Sequence, residues 1–266
     1  MAVLQGVSEL FPVSSLGHAV ILPGLLHWAV DQKAPDWLAY LVVMHLGTAI
    51  ALFVYFWRDW LAFGLSLISQ SGPRSAVDRR IFLLLILATI PAALVGFFLR
   101  KKLGQAFGAP SVAAIFLIVN GFILFVGDKI GGKAVGTLEQ LNWKGALAIG
   151  FAQAAALLPG ISRSGATIVG GVIAGLQHKE AARFSFLMAT PIILGAALFE
   201  APKLLREGAT LGGAAILSGF VAGVVAYAST MFLMRYFRGH ELEALNPFAY
   251  YCWAAGAISL ALITFT

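Results

Sequence analysis

Charge is scarce in this sequence. Only 11% of its 266 residues are Asp, Glu, Lys or Arg, whereas 60% are hydrophobic. A soluble domain of this length carries about twice as much charge, so the composition excludes a soluble globular protein. A second cysteine is also lacking, since Cys252 is the only one. An intramolecular disulfide is therefore excluded.

Basic residues form no patch with interleaved aromatic residues, which excludes the pattern typical of nucleic-acid-binding proteins. The net charge is +6, and most basic residues lie between apolar runs, as they do in membrane proteins. If segments 58–80, 129–144, 177–183 and 235–246 face the cytoplasm, they hold eleven basic residues against six on the other side. This bias places both termini outside, although the basic cluster 100–102 favours the opposite orientation.

The sequence contains several long apolar runs. Six of them are long enough to cross a bilayer, which takes about 20 apolar residues in a helix. They lie near residues 37–57, 81–99, 111–127, 184–201, 211–234 and 247–265. We therefore predict an all-α polytopic membrane protein with six transmembrane helices, forming a single transmembrane domain over residues 1–266.

Two further apolar segments, 1–30 and 145–177, are interrupted by helix-breaking residues. Pro12 interrupts the first segment, and Pro159-Gly160 interrupts the second. The helical piece before each break reaches only about halfway across a 30 Å hydrocarbon core. We expect each segment to form a re-entrant helical hairpin. The first segment has no basic leader, so we expect insertion through the spans rather than through a cleaved signal.

The two halves of the chain are weakly similar. A shift of 148 positions aligns Gln5 with Gln153, Ser14 with Ser162, and Gly17 with Gly165. An odd number of spans in each half would give the second half the opposite orientation in the membrane. We predict an inverted-topology repeat with units at about 1–130 and 140–266, whose broken helices meet near the bilayer midplane.

One acid and one arginine stand alone in the interrupted segments. Glu9 is the only formally charged residue between residues 1 and 30, and Arg163 is the only one between residues 145 and 177. A charge at membrane depth is costly and usually functional. We therefore expect both side chains to belong to one functional site.

Hydroxyl residues surround Arg163. Ser162 is well placed as the N-cap of a new half-helix, with Arg163, Ser164 and Thr167 in or near its first turn. The N-terminus of a helix offers free N–H groups and a positive dipole. Together with a guanidinium, these groups predict a site for a phosphate-sized anion.

The first interrupted segment carries groups suited to phosphoryl transfer. Glu9 and Gln5 share a helix face, and a carboxylate beside an amide oxygen suits a hard divalent cation such as Mg²⁺ or Ca²⁺. Ser14 and Ser15 precede His18 by about one turn. His18 can act as a nucleophile, or as a general base for Ser15 or water.

Three strings resemble the signature regions of the undecaprenyl-diphosphate phosphatase family, also known for bacitracin resistance. They are QGVSE at 5–9, PVSSLGH at 12–18 and PGISRSGAT at 159–167. The resemblance extends over essentially the whole chain. It implies an enzyme of the bacterial plasma membrane that hydrolyses undecaprenyl diphosphate, with a divalent metal ion and an outward-facing site. Its partners would be the polyprenyl diphosphate and membrane lipid, and a homodimer is left open.

The resemblance also implies roles for individual residues. Glu9 and Gln5 correspond to the metal or catalytic acidic pair, and His18 to the reacting group with Ser14 and Ser15 beside it. The diphosphate clamp corresponds to Arg163, Ser162, Ser164 and Thr167, and Gln153 is expected to bind substrate as well. Gln5 stands where the family usually has a glutamate, so one carboxylate is left at this pair. Metal binding would then depend more on the oxygens of the substrate.

Two alternatives stay open. Inverted repeats with broken helices are also typical of secondary transporters and lipid flippases, although binding alone needs fewer nucleophiles than Glu9, His18 and the hydroxyls supply. Acid-phosphatase-like lipid phosphatases use similar Ser-Gly-His and Ser-Arg strings, but their second histidine with its aspartate is missing here. His45 and Asn120 are interpreted as interhelical hydrogen-bonding residues, and His178 as part of a solvated turn.

Overall fold

The structure, a computed structural model, describes residues 1–28, 34–68, 72–106, 109–132, 134–206, 212–240 and 242–265. The described residues form α-helices, a short 3-10 helix at Leu138–Gln140 and no strand longer than an isolated bridge. The helices are α1 (Ala2–Ser8), α2 (Ser15–Leu25), α3 (Pro35–Tyr55), α4 (Trp57–Ile68), α5 (Pro73–Ala106), α6 (Pro110–Gly131), α7 (Trp143–Ala155), α8 (Arg163–Ile173), α9 (His178–Arg206), α10 (Gly213–Gly239) and α11 (Asn246–Phe265). The predicted all-α fold is confirmed.

Among the described residues, six helices are long and apolar enough to cross a membrane, namely α3, α5, α6, α9, α10 and α11. They coincide with the six predicted apolar runs. Two of these helices begin before the predicted apolar runs. α5 starts at Pro73 rather than near residue 81, and α9 starts at His178 rather than near residue 184. These added turns contain charged residues that continue a helix well but would not be counted in an apolar run. The chain is a multi-pass membrane protein.

The segment 58–80, treated as a loop in the charge count, is mostly helical. It contains most of α4 and the first turns of α5. Phe63 and Ser66 on α4 are buried, whereas Leu61 and Leu65 are exposed. The sequence did not signal this helix as a span because it is too short to cross a bilayer.

Both interrupted segments contain two short helices. In the first segment α1 and α2 flank residues 9–14, and in the second α7 and α8 flank residues 156–162. Each of the four helices has between 7 and 13 residues, which is too few to cross a bilayer. The breaks lie where the sequence predicts them. The re-entrant path and the inverted repeat stay predictions.

Glycines allow the long helices to pack closely around the short ones. α3 packs against α10, where a Cβ at Gly47 would lie only 2.0 Å from the carbonyl oxygen of Gly219. α6 packs against α11, where a Cβ at Gly256 would lie 2.9 Å from the carbonyl oxygen of Ala114. Larger residues do not fit at either contact. In turn α1 packs against α10, and α8 packs against α6 and α9.

Candidate active site

The two breaks contact each other. Ser164, in the first turn of α8, donates a hydrogen bond of 3.1 Å to the carbonyl oxygen of Phe11 in the first break. At the start of α2, a Cβ on Gly17 would lie 3.1 Å from the Cα of Gly160 in the second break. Gly160 has a φ of 104°, which favours glycine. Residues that are about 150 positions apart in the sequence are thereby neighbours.

Asn120, on α6, joins the two breaks. Its Nδ2 donates a hydrogen bond of 2.9 Å to the carbonyl oxygen of Pro12. Its Oδ1 accepts a hydrogen bond of 2.9 Å from the backbone N–H of Ser162. Asn120 is fully buried, so these bonds satisfy backbone groups that the breaks would otherwise leave unpaired.

A serine caps the helix after each break. The Oγ of Ser14 accepts a 3.1 Å hydrogen bond from the N–H of Gly17, and the Oγ of Ser162 accepts one of the same length from the N–H of Gly165. These are the residues that the shift of 148 positions aligns. Ser14 has a φ of 67°, a conformation uncommon for residues other than glycine, so the chain turns sharply before α2.

Glu9 lies at the centre of the site. Its side chain is 7% exposed, and its Oε1 accepts a hydrogen bond of 3.0 Å from Nη2 of Arg163. Its other oxygen, Oε2, is 2.6 Å from Oγ of Ser15 and 3.2 Å from Nε2 of Gln5. Nε2 of His45 lies 3.4 Å from the same oxygen. The carboxylate thus holds together residues from the first segment, from α8 and from α3.

Arg163 is the first residue of α8. Besides its bond to Glu9, it donates a hydrogen bond of 3.4 Å from Nη1 to the carbonyl oxygen of Ser185 on α9. Its side chain is 16% exposed. The guanidinium therefore lies beside a helix N-terminus, where both the fixed charge and the helix dipole favour an anion.

Glu9 and Arg163 border a cavity of about 340 Å³. Its polar lining consists of Ser8, Glu9, Ser14, Ser15, His45, Ser162, Arg163 and Glu200. A second cavity of about 470 Å³ lies against it and is lined almost entirely by apolar residues of α5 and α9. Four residues line both cavities, namely Leu157, Ile192, Ala196 and Glu200. The rest of the lining of the first cavity is apolar. We call the part of this cavity at Glu9 and Arg163 the polar chamber, and the adjoining second cavity the apolar groove.

The predicted hydroxyl residues divide into two groups. Ser14, Ser15 and Ser162 line the cavity. Ser164 and Thr167 are each 1% exposed and bond to protein instead, Ser164 to Phe11 and Thr167 to the hydroxyl of Ser185 at 2.6 Å. The structure therefore brings the first three to the cavity and not the last two, whose predicted contact with substrate stays a prediction.

His18 is not among the described residues that line the cavity. Its Nδ1 lies 2.7 Å from the carbonyl oxygen of Ser14, and its Nε2 lies 2.8 Å from the hydroxyl of Tyr251 on α11. A carbonyl only accepts, so Nδ1 donates and Nε2 accepts from the tyrosine. Both ring nitrogens are thus engaged away from Glu9, which leaves Ser15 as the predicted reacting group that is on the cavity.

Gln153 is also separate from the cavity lining. It is 2% exposed, and neither of its side-chain polar atoms has a hydrogen-bond partner among the described residues. The structure does not bring Gln153 to Arg163 in the way that it brings Gln5 to Glu9. Its role in substrate binding stays a prediction.

The sequence interpretation did not identify the partners of three residues. His45 contacts the carboxylate of Glu9, and Asn120 joins the breaks. His178 was expected in a solvated turn, but it is 1% exposed and pairs with Asp128 on α6 at 2.5 Å. The only signal for these residues was polarity within or next to an apolar run, which does not identify the partner.

The predicted metal ligands are adjacent. Nε2 of Gln5 contacts Oε2 of Glu9 at 3.2 Å, but only Glu9 is among the described residues that line the cavity. Among the described residues, no group of three or more His, Cys, Asp and Glu side chains is arranged to hold a metal ion. A hard cation at this point would need further oxygen ligands from a bound anion or from water.

Comparison with known proteins identifies the family of this chain. The family described as bacitracin resistance protein BacA matches residues 1–258. A protein of Acidiphilium cryptum named undecaprenyl-diphosphatase is 51% identical, over 99% of this chain and 96% of its own length. A protein of the same name from Granulibacter bethesdensis is 48% identical, over 100% of this chain and 95% of its own. The chain belongs to the bacitracin resistance protein BacA family.

Proposed function

We propose that this undecaprenyl-diphosphatase removes the terminal phosphate of its lipid substrate in the cavity that Glu9 and Arg163 border. The activity follows from the family and from relatives of that name at 44–51% identity. The pairing of Glu9 with Arg163 at 3.0 Å is the observation that supports this location. A lone acid and a lone guanidinium from two interrupted segments share one chamber, as a phosphoryl-transfer site requires.

The shape of the two cavities matches an amphipathic substrate. Undecaprenyl diphosphate has a charged head and a long isoprenoid chain. The head would occupy the polar chamber, where Arg163, Ser162 and the N-terminus of α8 favour phosphate oxygens. The first isoprene units would lie in the adjoining groove between α5 and α9.

Ser15 is placed to act as the nucleophile. Its hydroxyl lies 2.6 Å from Oε2 of Glu9, the arrangement of a nucleophile beside a general base. Transfer of the hydroxyl proton to Glu9 would let Oγ attack the terminal phosphorus, and the bond to the bridging oxygen would break. Undecaprenyl phosphate would leave with the electrons of that bond. Water would then hydrolyse the phosphoserine, releasing inorganic phosphate and restoring Ser15.

A divalent metal ion fits this site only in part. Glu9 would hold it, and the diphosphate would supply further oxygen ligands. Gln5 would have to turn its amide to add an oxygen ligand, because its Nε2 faces the carboxylate in the structure. When bound, such an ion would neutralise part of the phosphate charge. The presence of one carboxylate rather than two makes us expect weak metal binding without substrate.

The location in the bacterial plasma membrane with an outward-facing site is part of the same proposal. The distribution of basic residues between the spans supports this orientation. No contact among the described residues specifically favours the transporter or flippase alternative. That alternative would require movement of lipid without release of phosphate.

Phosphate release from undecaprenyl diphosphate by the purified protein in detergent tests the proposal. We expect release by the wild-type protein and almost none by Glu9→Gln, which keeps the size of the side chain but removes its charge. His240→Gln is a matched control, since His240 is exposed and bonds only to its own helix among the described contacts. Wild-type rates from Glu9→Gln would disprove the assignment of this cavity.

A further inference from the structure

A third cavity, of about 400 Å³, lies apart from the proposed active site. It forms where α3 ends and where α4 and α9 begin. Its lining residue on α3 is Tyr55, which lies ten residues beyond His45, the last residue of α3 on the cavity of Glu9 and Arg163. Ten residues of helix span about 15 Å. Five of the nine lining residues carry a formal charge, so we call this third cavity the charged cavity.

Arg183, on α9, connects the two helices that begin at the charged cavity. Its Nη2 donates a hydrogen bond to Oδ1 of Asp59 on α4, and its Nη1 donates one of 3.3 Å to Oε2 of Glu180 on α9. Both acids of the cavity are thus paired with one guanidinium. Three basic residues line the cavity against these two acids. The remaining positive charge belongs to Arg58 and Lys179.

Arg58 and Lys179 keep hydrogen-bond donors for an anion. Nζ of Lys179 lies 3.7 Å from Oε1 of Glu180, which is beyond hydrogen-bond distance, and the side chain is 33% exposed. Arg58 is exposed, and its guanidinium lies over the ring of Trp57 at 5.4 Å from the ring centre. Arg58 stands in the first turn of α4 and Lys179 in the first turn of α9. An anion in the charged cavity can thus be contacted from two helices by a guanidinium and an ammonium, the groups that proteins use to bind phosphate.

The rest of the lining suits a lipid better than a small soluble anion. The uncharged side of the cavity consists of Tyr55, Phe56, Trp57 and Met234. Trp57 is 51% exposed two residues after the span of α3 ends, where aromatic residues of membrane proteins commonly meet the lipid headgroups. The segments 58–80 and 177–183, which the count of basic residues assigns to the cytoplasm, both border the cavity. Basic pockets between transmembrane helices on that side bind anionic headgroups.

We propose that the charged cavity binds the phosphate headgroup of an anionic phospholipid, with Arg58 and Lys179 as the phosphate ligands. Arg183 keeps these ligands on one cavity, because its bonds to Asp59 and Glu180 hold α4 against α9. The acyl chains would lie beside the exposed ring of Trp57. No residue of the charged cavity lines either of the other two cavities, so this site is separate from the one in the proposed function.

Lipid-dependent melting of the full chain in an uncharged detergent tests this site. The protein is titrated with phosphatidylglycerol, with phosphatidylcholine of the same acyl chains, and with inorganic phosphate. A ligand that binds only the folded protein raises its melting temperature. We expect a saturable rise with phosphatidylglycerol and a much smaller one with phosphatidylcholine. In the double variant Arg58→Gln with Lys179→Gln, the apparent Kd for phosphatidylglycerol should be weaker by about tenfold to thirtyfold, since each basic residue near an anionic headgroup contributes about fivefold.

The double variant Lys129→Gln with Lys144→Gln is the matched control. It removes the same number of charges, and Lys144 lies beside the exposed ring of Trp143 much as Arg58 lies beside Trp57. Neither lysine lines the charged cavity. We expect its apparent Kd for phosphatidylglycerol to stay within about threefold of wild type, because salt screens exposed charges outside the site. Without lipid, both double variants should melt near wild type, since exposed ion pairs contribute little.

The single variant Arg58→Gln guards against misfolding of the double variant, because Arg58 forms no ion pair among the described contacts. It should weaken the apparent Kd by about fivefold. Equal weakening in the cavity and control variants would show attraction by net charge alone and would overturn the site. A wild-type response from the cavity variant, or no response of the wild-type protein to phosphatidylglycerol, would also overturn it. A rise with inorganic phosphate that the cavity variant loses would assign the cavity to free phosphate and not to a lipid.

Discussion

Arg163 and Glu9 are separated by 154 positions in the sequence, yet Nη2 of the arginine lies 3.0 Å from Oε1 of the glutamate. Each is the lone formal charge of an interrupted apolar segment. An isolated charge of either sign would be costly inside a membrane protein. Pairing the two makes both tolerable, and it places an acid and a guanidinium side by side on the lining of one cavity.

Replacing Arg163 with Ala should both inactivate and destabilise the protein. Removing one partner of a buried ion pair costs about 3–5 kcal/mol of stability. Loss of a group that stabilises charge in the transition state lowers kcat by about a hundredfold to a thousandfold. The Arg163→Lys variant should have a melting temperature closer to that of wild type but a low kcat, because a lysine cannot form the planar double contact with phosphate. Phosphate release and melting temperature are the measurements, and near-normal release by Arg163→Ala would contradict the site.

The Ser15→Ala and His18→Gln variants should differ sharply in phosphatase activity. If Ser15 is the nucleophile, its alanine variant should lose at least about a thousandfold in kcat. His18→Gln retains groups that can bond to Ser14 and Tyr251, so we expect a loss below about tenfold. Acid quenching of the wild-type protein with substrate labelled in its terminal phosphate should trap label on serine. Label on histidine, or an active Ser15→Ala variant, would reverse the assignment.

Gln5→Glu should strengthen metal binding. A second carboxylate beside Glu9 gives a hard cation another charged oxygen ligand. Without metal, the two acids repel each other and the variant should melt at a lower temperature than wild type. With Mg²⁺ or Ca²⁺ the melting temperature should rise by more than it does in wild type, and half-maximal activity should need less metal. A melting temperature that does not respond to metal in this variant would exclude a metal at these two residues.

Asn120→Leu should destabilise the junction between the breaks. The change leaves the N–H of Ser162 without its partner, at about 1–3 kcal/mol for a buried group, and leaves the carbonyl of Pro12 with only the weak donor Sγ of Cys252 at 3.9 Å. We expect a lower melting temperature and a loss of activity larger than the fraction unfolded explains, because Glu9 and Arg163 would no longer be held in register. Ser218→Ala, which removes one bond to Tyr40 away from the site, is the matched control. Equal stability of the two variants would show that the bonds of Asn120 do not matter.

The spans and the breaks were predictable because each depends on local sequence. Apolar length identifies a span, and Pro12 or Pro159-Gly160 identifies a break. Two lone charges of opposite sign in similar segments gave a reason to expect contact. Ser14 and Ser162 were also identifiable, since a serine after a break is a good helix cap.

The partners of His45, His18 and His178 were not predictable from the sequence. Each depends on which helices become neighbours, and nothing near His45 in the sequence points to Glu9. His178 stands beside two charged residues and so resembled a solvated turn. It is buried because Asp128, 50 positions earlier, pairs with it while also accepting a hydrogen bond from the N–H of Leu245.

The apolar groove beside the polar chamber has a consequence for how this enzyme meets its substrate. Two of its lining residues, Phe97 and Phe199, are 57% and 48% exposed on the outer face of the helices. The enzyme would then meet its substrate within the plane of the bilayer. There the substrate concentration is a mole fraction of lipid and not a bulk molarity. Diluting such a substrate with inert lipid or detergent slows capture even when its total amount in the tube is unchanged.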